Sequence, residues 1–251
     1  MSRQLHNHGM TDQRIESLGH AFALGLSGVL GDRLFGLYLL GAVAFPESVG
    51  KFGDIDFHAI VETPFDDADR EAVDALHRGL GPTLGYDLDG QYINRPDATR
   101  SEAPRTQMWP RWRWPRDGAW ALHRAHARAG RRVLLVGPDP ATYLPAPTWP
   151  ELEAELLADL AFTACWLSRA PAYAVLQYTR LVYTFTTRDV VVSKMAAAAW
   201  AMGHVAEWAP LIARALEVYP AHGTEALPMP DVHRFEEFAR ERIDGLRATE
   251  R

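Results

Sequence analysis

The sequence predicts an α+β protein, a mixed sheet domain followed by a helical bundle, and three observations carry that reading. Up to residue 136, short apolar runs of strand character alternate with amphipathic helical stretches. A Pro-rich run, GPDPATYLPAPTWP at residues 137–150, then interrupts any regular element. Beyond it, apolar residues recur with a period near 3.6 almost to the C-terminus. The expected domains are therefore 1–145 and 146–251. With 47% hydrophobic residues among 251, both have material for a packed core.

The elements follow in order. Thr11 can cap a first helix through Ile15, Leu18, Phe22, Leu26 and Val29, which share one face, and Gly31-Asp32 ends it. Residues 34–40 form a nearly continuous hydrophobic run, the pattern of a strand buried on both faces, and deliver the chain to Gly41. A second strand is expected over 54–61. Residues 64–80 read as an acidic amphipathic helix with Ala68, Val73, Leu76 and Leu80 inward, its charges in water, and Gly81-Pro82 as its stop. A third strand covers 84–93. Residues 94–118 are expected to be irregular because Pro96, Pro104, Pro110 and Pro115 break them up. A helix over 117–130 and a strand over 132–136 complete the first domain. Five helices then follow: 151–169, one starting at Pro171, 190–204, 208–219 and 231–246. At these lengths they imply a bundle, and no repeat period is apparent. Cys165 is the only cysteine, which excludes a disulfide framework and a zinc cluster; FTACWLS around it reads as a buried helix with an inert core thiol.

The chemistry concentrates in residues 37–61, LYLLGAVAFPESVGKFGDIDFHAIV. Asp54 and Asp56 stand at i and i+2 in a strand, so their carboxylates project from one face while Ile55 and Phe57 enter the core. Two such charges repel unless a cation neutralises them, and hard carboxylate oxygens suit Mg2+. The alternative is a pair of harmless acids on a solvent-facing strand. On the third strand, Asp87 and Asp89 repeat the pattern and would lie beside the first pair. The segment TQMWPRWRWPR offers Trp112 and Trp114 for stacking on a base or a sugar; the other reading is that Trp109, Trp112 and Trp114 pack this loop onto the domain. His123 faces the cleft or is structural.

Charge narrows the function classes. A formal net charge of −6 argues against a general nucleic-acid binder, which needs a cationic footprint, and suits a cationic small substrate. The polar N-terminus and the lack of about 18 uninterrupted apolar residues leave no signal for export or membrane insertion, so a cytoplasmic protein is expected, as a monomer or weak dimer.

A strand ending in Gly plus a small residue, a loop of about a dozen residues and Asp-x-Asp on the next strand resembles the nucleotidyltransferase, polymerase-beta-like superfamily. That resemblance implies that a Gly-Ser pair holds nucleotide phosphates and that the two Asp residues hold magnesium. Here Ala42 follows Gly41, so the hydroxyl is missing and loop N–H groups, with Ser48 or Lys51, would serve instead. A third acid is also implied, as metal ligand or base; Asp89 is the first choice and Asp87 the reserve, with Asp87, Trp112 and Trp114 as acceptor contacts.

QYTRLVYTFTTRDVVVSKMAAAAWA, residues 177–201, resembles the helical domain of aminoglycoside 3''/9-adenylyltransferases, as does LLVGPDP after the last strand. Most of residues 30–220 are covered. Arg180 and Lys194 occupy the positions that the resemblance assigns to nucleotide phosphates, and their chemistry agrees: guanidinium binds phosphate bidentately, and a lysine in VVVSKMAAAA needs a counter-charge. Ala170 stands where that family carries an acid for its cationic acceptor. The implied activity is Mg-dependent transfer of AMP from ATP, lying between the domains, to a hydroxyl of an aminoglycoside-like acceptor, an antibiotic-resistance reaction. A different acceptor, or a non-catalytic relative that binds nucleotide or a partner, are the rival readings.

Overall fold

The computed structural model describes residues 13–48, 54–84, 87–109, 118–219 and 227–249. They divide into two compact units, Met1–Trp149 and Pro150–Arg251.

The first unit is built on a five-stranded sheet: β1 Leu34–Leu39, β2 Asp54–Val61, β3 Asp87–Asn94, β4 Thr106–Trp109 and β5 Val133–Val136, in the order β4-β3-β2-β1-β5. β2 and β3 pair in parallel and every other pair is antiparallel. A parallel pair needs a crossover, and α2 (Asp67–Leu84) supplies it. With α1 (Gln13–Leu30) it covers one face of the sheet, where Leu18, Phe22 and Leu26 meet Leu37, Leu39, Ile55, Phe57 and Ala59. α1 ends as the sequence predicts, at Gly31 with φ +56°.

α2 departs from the expectation at both ends. Its start is a reciprocal cap: the Asp69 amide donates to Asp66 Oδ1 at 2.8 Å and the Asp66 amide donates to Asp69 Oδ2 at 3.1 Å. Asp69 also accepts from Arg33 at 2.7 Å and is buried, so this acid is not on the solvated face. The Arg33 guanidinium holds its carboxyl below the usual aspartate range. Ala68, expected inward, is exposed. The helix also runs through Gly81 and Pro82 to Leu84.

Residues expected to be irregular contain the short helix α3 (Arg95–Ala98), with proline in its first turn, and the edge strand β4. Trp109 on β4 stacks on His77 of α2, ring centroids 4.1 Å apart, and its indole N–H donates to Asp74 at 2.9 Å. His77 Nε2 lies 2.7 Å from the Tyr92 hydroxyl, and burial pushes this histidine down to about 4. For Trp109 the packing role is the observed one.

The other face carries α4 (Trp120–Arg128), where Trp120 packs with Tyr38, Leu40, Ile60 and Ile93. Arg124 is fully buried and donates to the carbonyls of Pro145 and Ser101, tying the chain after β5 to the loop before β4.

The second unit contains α5 (Trp149–Ala164), α6 (Pro171–Thr187), α7 (Lys194–His204), α8 (Ala209–Val218) and α9 (Met229–Ala248). α6 is its centre, buried on nearly every side and packed against α7, α8 and α9. Arg188, with φ +61°, ends it. The helix expected from 190 begins only at Lys194, because Asp189 accepts the Val191 amide and Ser193 caps the Ala196 amide. Cys165 corrects another expectation: it lies in the turn after α5 and is exposed, not a core thiol. No helix among the described residues is long and apolar enough to cross a membrane.

Candidate active site

The candidate site lies where β1 leaves the sheet. The Leu40 amide still donates to the Asp56 carbonyl at 2.9 Å, and the chain then turns at Gly41 with φ +66°. A Cβ at Gly41 would overlap Oδ2 of Asp56 and stand 3.1 Å from its Cγ. The Asp56 carboxylate therefore lies directly on the glycine, which is required both by its backbone conformation and by the lack of space. A 3-10 turn, Gly41–Ala44, follows, pinned by buried Val43 and Phe45 and leaving Ala42 half-buried. Ser48 closes the next turn through its amide and is only 5% exposed, so its side chain is tucked under the loop. Lys51 lies outside the described residues.

Along β2 the alternation is the expected one, with Asp54 and Asp56 exposed and Ile55 and Phe57 buried. The parallel register aligns Asp54 with Asp87 and Asp56 with Asp89. Adjacent strands lie about 4.8 Å apart, so Asp56 and half-buried Asp89 are lateral neighbours on one face. The side chain of Asp87 is outside the described residues; only its register is fixed. Gly90 separates Asp89 from Gln91 because a Cβ there would overlap the Phe57 carbonyl and ring.

These carboxylates fit a hard divalent cation in donor type, and one of them, Asp56, lies directly against the Gly41 turn. Among the described residues no three His, Cys, Asp or Glu side chains form a ready-made metal cluster.

One row further along the same face is a polar group that reading by motif missed. His58 is buried, its Nδ1 lies 3.3 Å from the Tyr38 hydroxyl, and the ring of His123 meets it edge-on at 4.8 Å. Gln91 stands in register with His58, and its Oε1 is buried without a hydrogen-bond partner. The period-two pattern that pairs Asp54 with Asp56 already puts His58 on the acidic face. His123 thus packs against another histidine.

In the helical unit, Arg180 is partly exposed, with Nη2 3.5 Å from Asp159 Oδ2, which Gln177 also engages. Lys194 is the first residue of α7. Its ammonium sits 4.4 Å from the ring centroid of Tyr173 and 5.5 Å from that of Tyr219, whose hydroxyl is 3.4 Å away. Where the sequence suggests a counter-charge, the neighbours include two aromatic faces. Ala170 is the N-cap of α6 and has no side-chain cap. Trp112 and Trp114 lie outside the described residues.

Residues 151–244 match the family model of the aminoglycoside adenylyltransferase C-terminal domain. The fold matches the crystal structure of spectinomycin adenyltransferase AAD(9) from Enterococcus faecialis with ATP and spectinomycin, with a TM-score of 0.75. That match has 16% identity and covers 91% of this chain and 99% of the other. No curated protein matches the sequence.

Proposed function

We propose that this chain, whose helical unit matches the aminoglycoside adenylyltransferase C-terminal domain and whose fold is shared with a spectinomycin adenyltransferase, transfers AMP from ATP to a hydroxyl of a small cationic acceptor of aminoglycoside type. The observation that carries the reading is the register bringing Asp56 beside Asp89 at the glycine turn that ends β1. A turn of that kind presents backbone N–H groups to a triphosphate without needing a hydroxyl at Ala42. Asp54 and Asp56, with Asp89 or Asp87 as the third acid, would hold Mg2+. Bound there, magnesium neutralises the triphosphate and stabilises charge developing at the α-phosphorus.

The remaining roles belong to the chain itself. Asp89, partly withdrawn from solvent, accepts the proton of the acceptor hydroxyl as the oxygen attacks. Arg180 offers a planar fork to phosphate oxygens, with Asp159 3.5 Å from one of its nitrogens. Lys194 adds a compact charge to the same phosphates. A net charge of −6 favours an acceptor bearing amines, and the reaction requires the ATP supply of the cytoplasm. The enzyme acts as a monomer or weak dimer.

Incubation with α-labelled ATP, magnesium and a panel of aminoglycosides, aminocyclitols, nucleoside antibiotics and a protein acceptor tests the reading. Label should pass to an aminoglycoside or aminocyclitol, and Asp56→Asn should abolish transfer. Label appearing only on another acceptor class would move the assignment to that class. The absence of hydroxyl at Ala42, with Ser48 tucked away, favours one rival, a nucleotide-binding protein without turnover. ATP binding that ignores both magnesium and Asp56→Asn would select it.

A further inference from the structure

The Lys194 ammonium rests over the Tyr173 ring at 4.4 Å, closer than to the ring of Tyr219 at 5.5 Å. Tyr173 comes from the first turn of α6 and Lys194 from the first turn of α7, so the contact links the starts of two neighbouring helices. An ammonium at a helix N-terminus is opposed by the helix dipole. A flexible four-carbon stem also gives it many alternative positions. Something must therefore hold this charge in one place. A ring face attracts the ammonium through its quadrupole and narrows those positions. Tyr173 is half-buried, and its own ring meets Trp166 at 6.0 Å, edge-on, a contact that restrains the platform. Ser193 caps the Ala196 amide, fixing the backbone from which Lys194 departs.

We infer that Tyr173 is a positioning residue for nucleotide binding: its ring face holds the Lys194 ammonium where it meets the triphosphate of ATP. The inference rests on the phosphate-binding role of Lys194 proposed above. It assigns the ring, and not the Tyr173 hydroxyl, as the active part.

Calorimetric titration of the full chain with ATP and magnesium, and separately with adenosine, gives the test, using Lys194→Ala, Tyr173→Leu and Tyr173→Phe. Lys194→Ala should weaken ATP binding and leave adenosine binding unchanged; if it does not, the role of Lys194 itself falls, and the inference with it. Given that loss, Tyr173→Leu should weaken ATP about three- to tenfold, the range of a partly buried cation–ring contact, without affecting adenosine. Tyr173→Phe should restore wild-type affinity. In turnover assays Tyr173→Leu should raise the KM for ATP with kcat nearly unchanged. Equal loss of ATP and adenosine affinity, or a Tyr173→Phe variant as weak as Tyr173→Leu, would overturn the inference. So would a Lys194→Ala effect unaccompanied by any effect of Tyr173→Leu.

Discussion

Gly41→Ala is the most direct probe of the proposed site, because the structure gives both components of its cost. At φ +66° an L-residue loses about 1–2 kcal/mol relative to glycine. The new methyl would also overlap Oδ2 of Asp56, forcing that side chain from its rotamer at about 0.5–1.5 kcal/mol. Together these predict a destabilisation of about 2–3 kcal/mol. In an Asp56→Ala background only the backbone part remains, so the same substitution should cost about 1–2 kcal/mol there. Urea unfolding of the four proteins in the double-mutant cycle should therefore reveal a coupling of about 1 kcal/mol. Displacing a carboxylate by about an ångström can reduce turnover about 100-fold, so kcat/KM for adenylyl transfer should fall at least that far in Gly41→Ala. Strict additivity in the cycle, or near-normal turnover by Gly41→Ala, would refute the placement of Asp56 against the glycine turn.

Four further outcomes are expected. Asp56→Asn and Asp89→Asn should each reduce kcat by about 100-fold or more while leaving the melting temperature unchanged or slightly raised, since neighbouring like charges are removed; differential scanning fluorimetry alongside the transfer assay reads both. His77 remains neutral in the folded chain down to about pH 4 but protonates near 6.5 when unfolded, so between those values the unfolded state binds the extra proton. Stability should accordingly fall by about 3 kcal/mol as pH drops from 6.5 to 4, and denaturant titrations across that range should lose this component in a His77→Phe/Tyr92→Phe double variant. Asp69→Ala removes the α2 cap and the Arg33 partner together and should cost about 1–2 kcal/mol in urea unfolding, with no change in KM. A fragment ending at residue 149 should lose adenylyl transfer, and one that folds and turns over normally would count against the roles of Arg180 and Lys194.

Much of the candidate site's strand geometry was legible because strand alternation is a local property. Asp54, Ile55, Asp56 and Phe57 declare their faces by sequence position alone, and the limits of β2 were read correctly for that reason. The C-terminal helices were legible through their apolar period. What escaped depends on partners distant in sequence. β4 exists because β3 offers it an edge and His77 offers Trp109 a ring, neither of which is visible in a stretch broken by prolines. Asp69 reads as one more surface acid until Arg33 is brought to it. The true start of α7 was set by Asp189 and Ser193, polar residues whose side chains compete for nearby amides. Cys165 sits among apolar letters, yet α5 ends one residue before it.

The parallel pairing of β2 with β3 has a kinetic corollary. Asp56 and Asp89 belong to strands that cannot meet until the whole of α2 has crossed the sheet and docked on α1, a non-local closure that a chain reaches late. During refolding from denaturant, helical signal should therefore return before the Asp56–Asp89 pair is assembled, and with it any ATP binding of the kind proposed above. A stalled intermediate would look folded by circular dichroism while its candidate site is still unassembled, which makes the closure of β2 on β3 a stricter clock for this protein's maturation than its secondary structure.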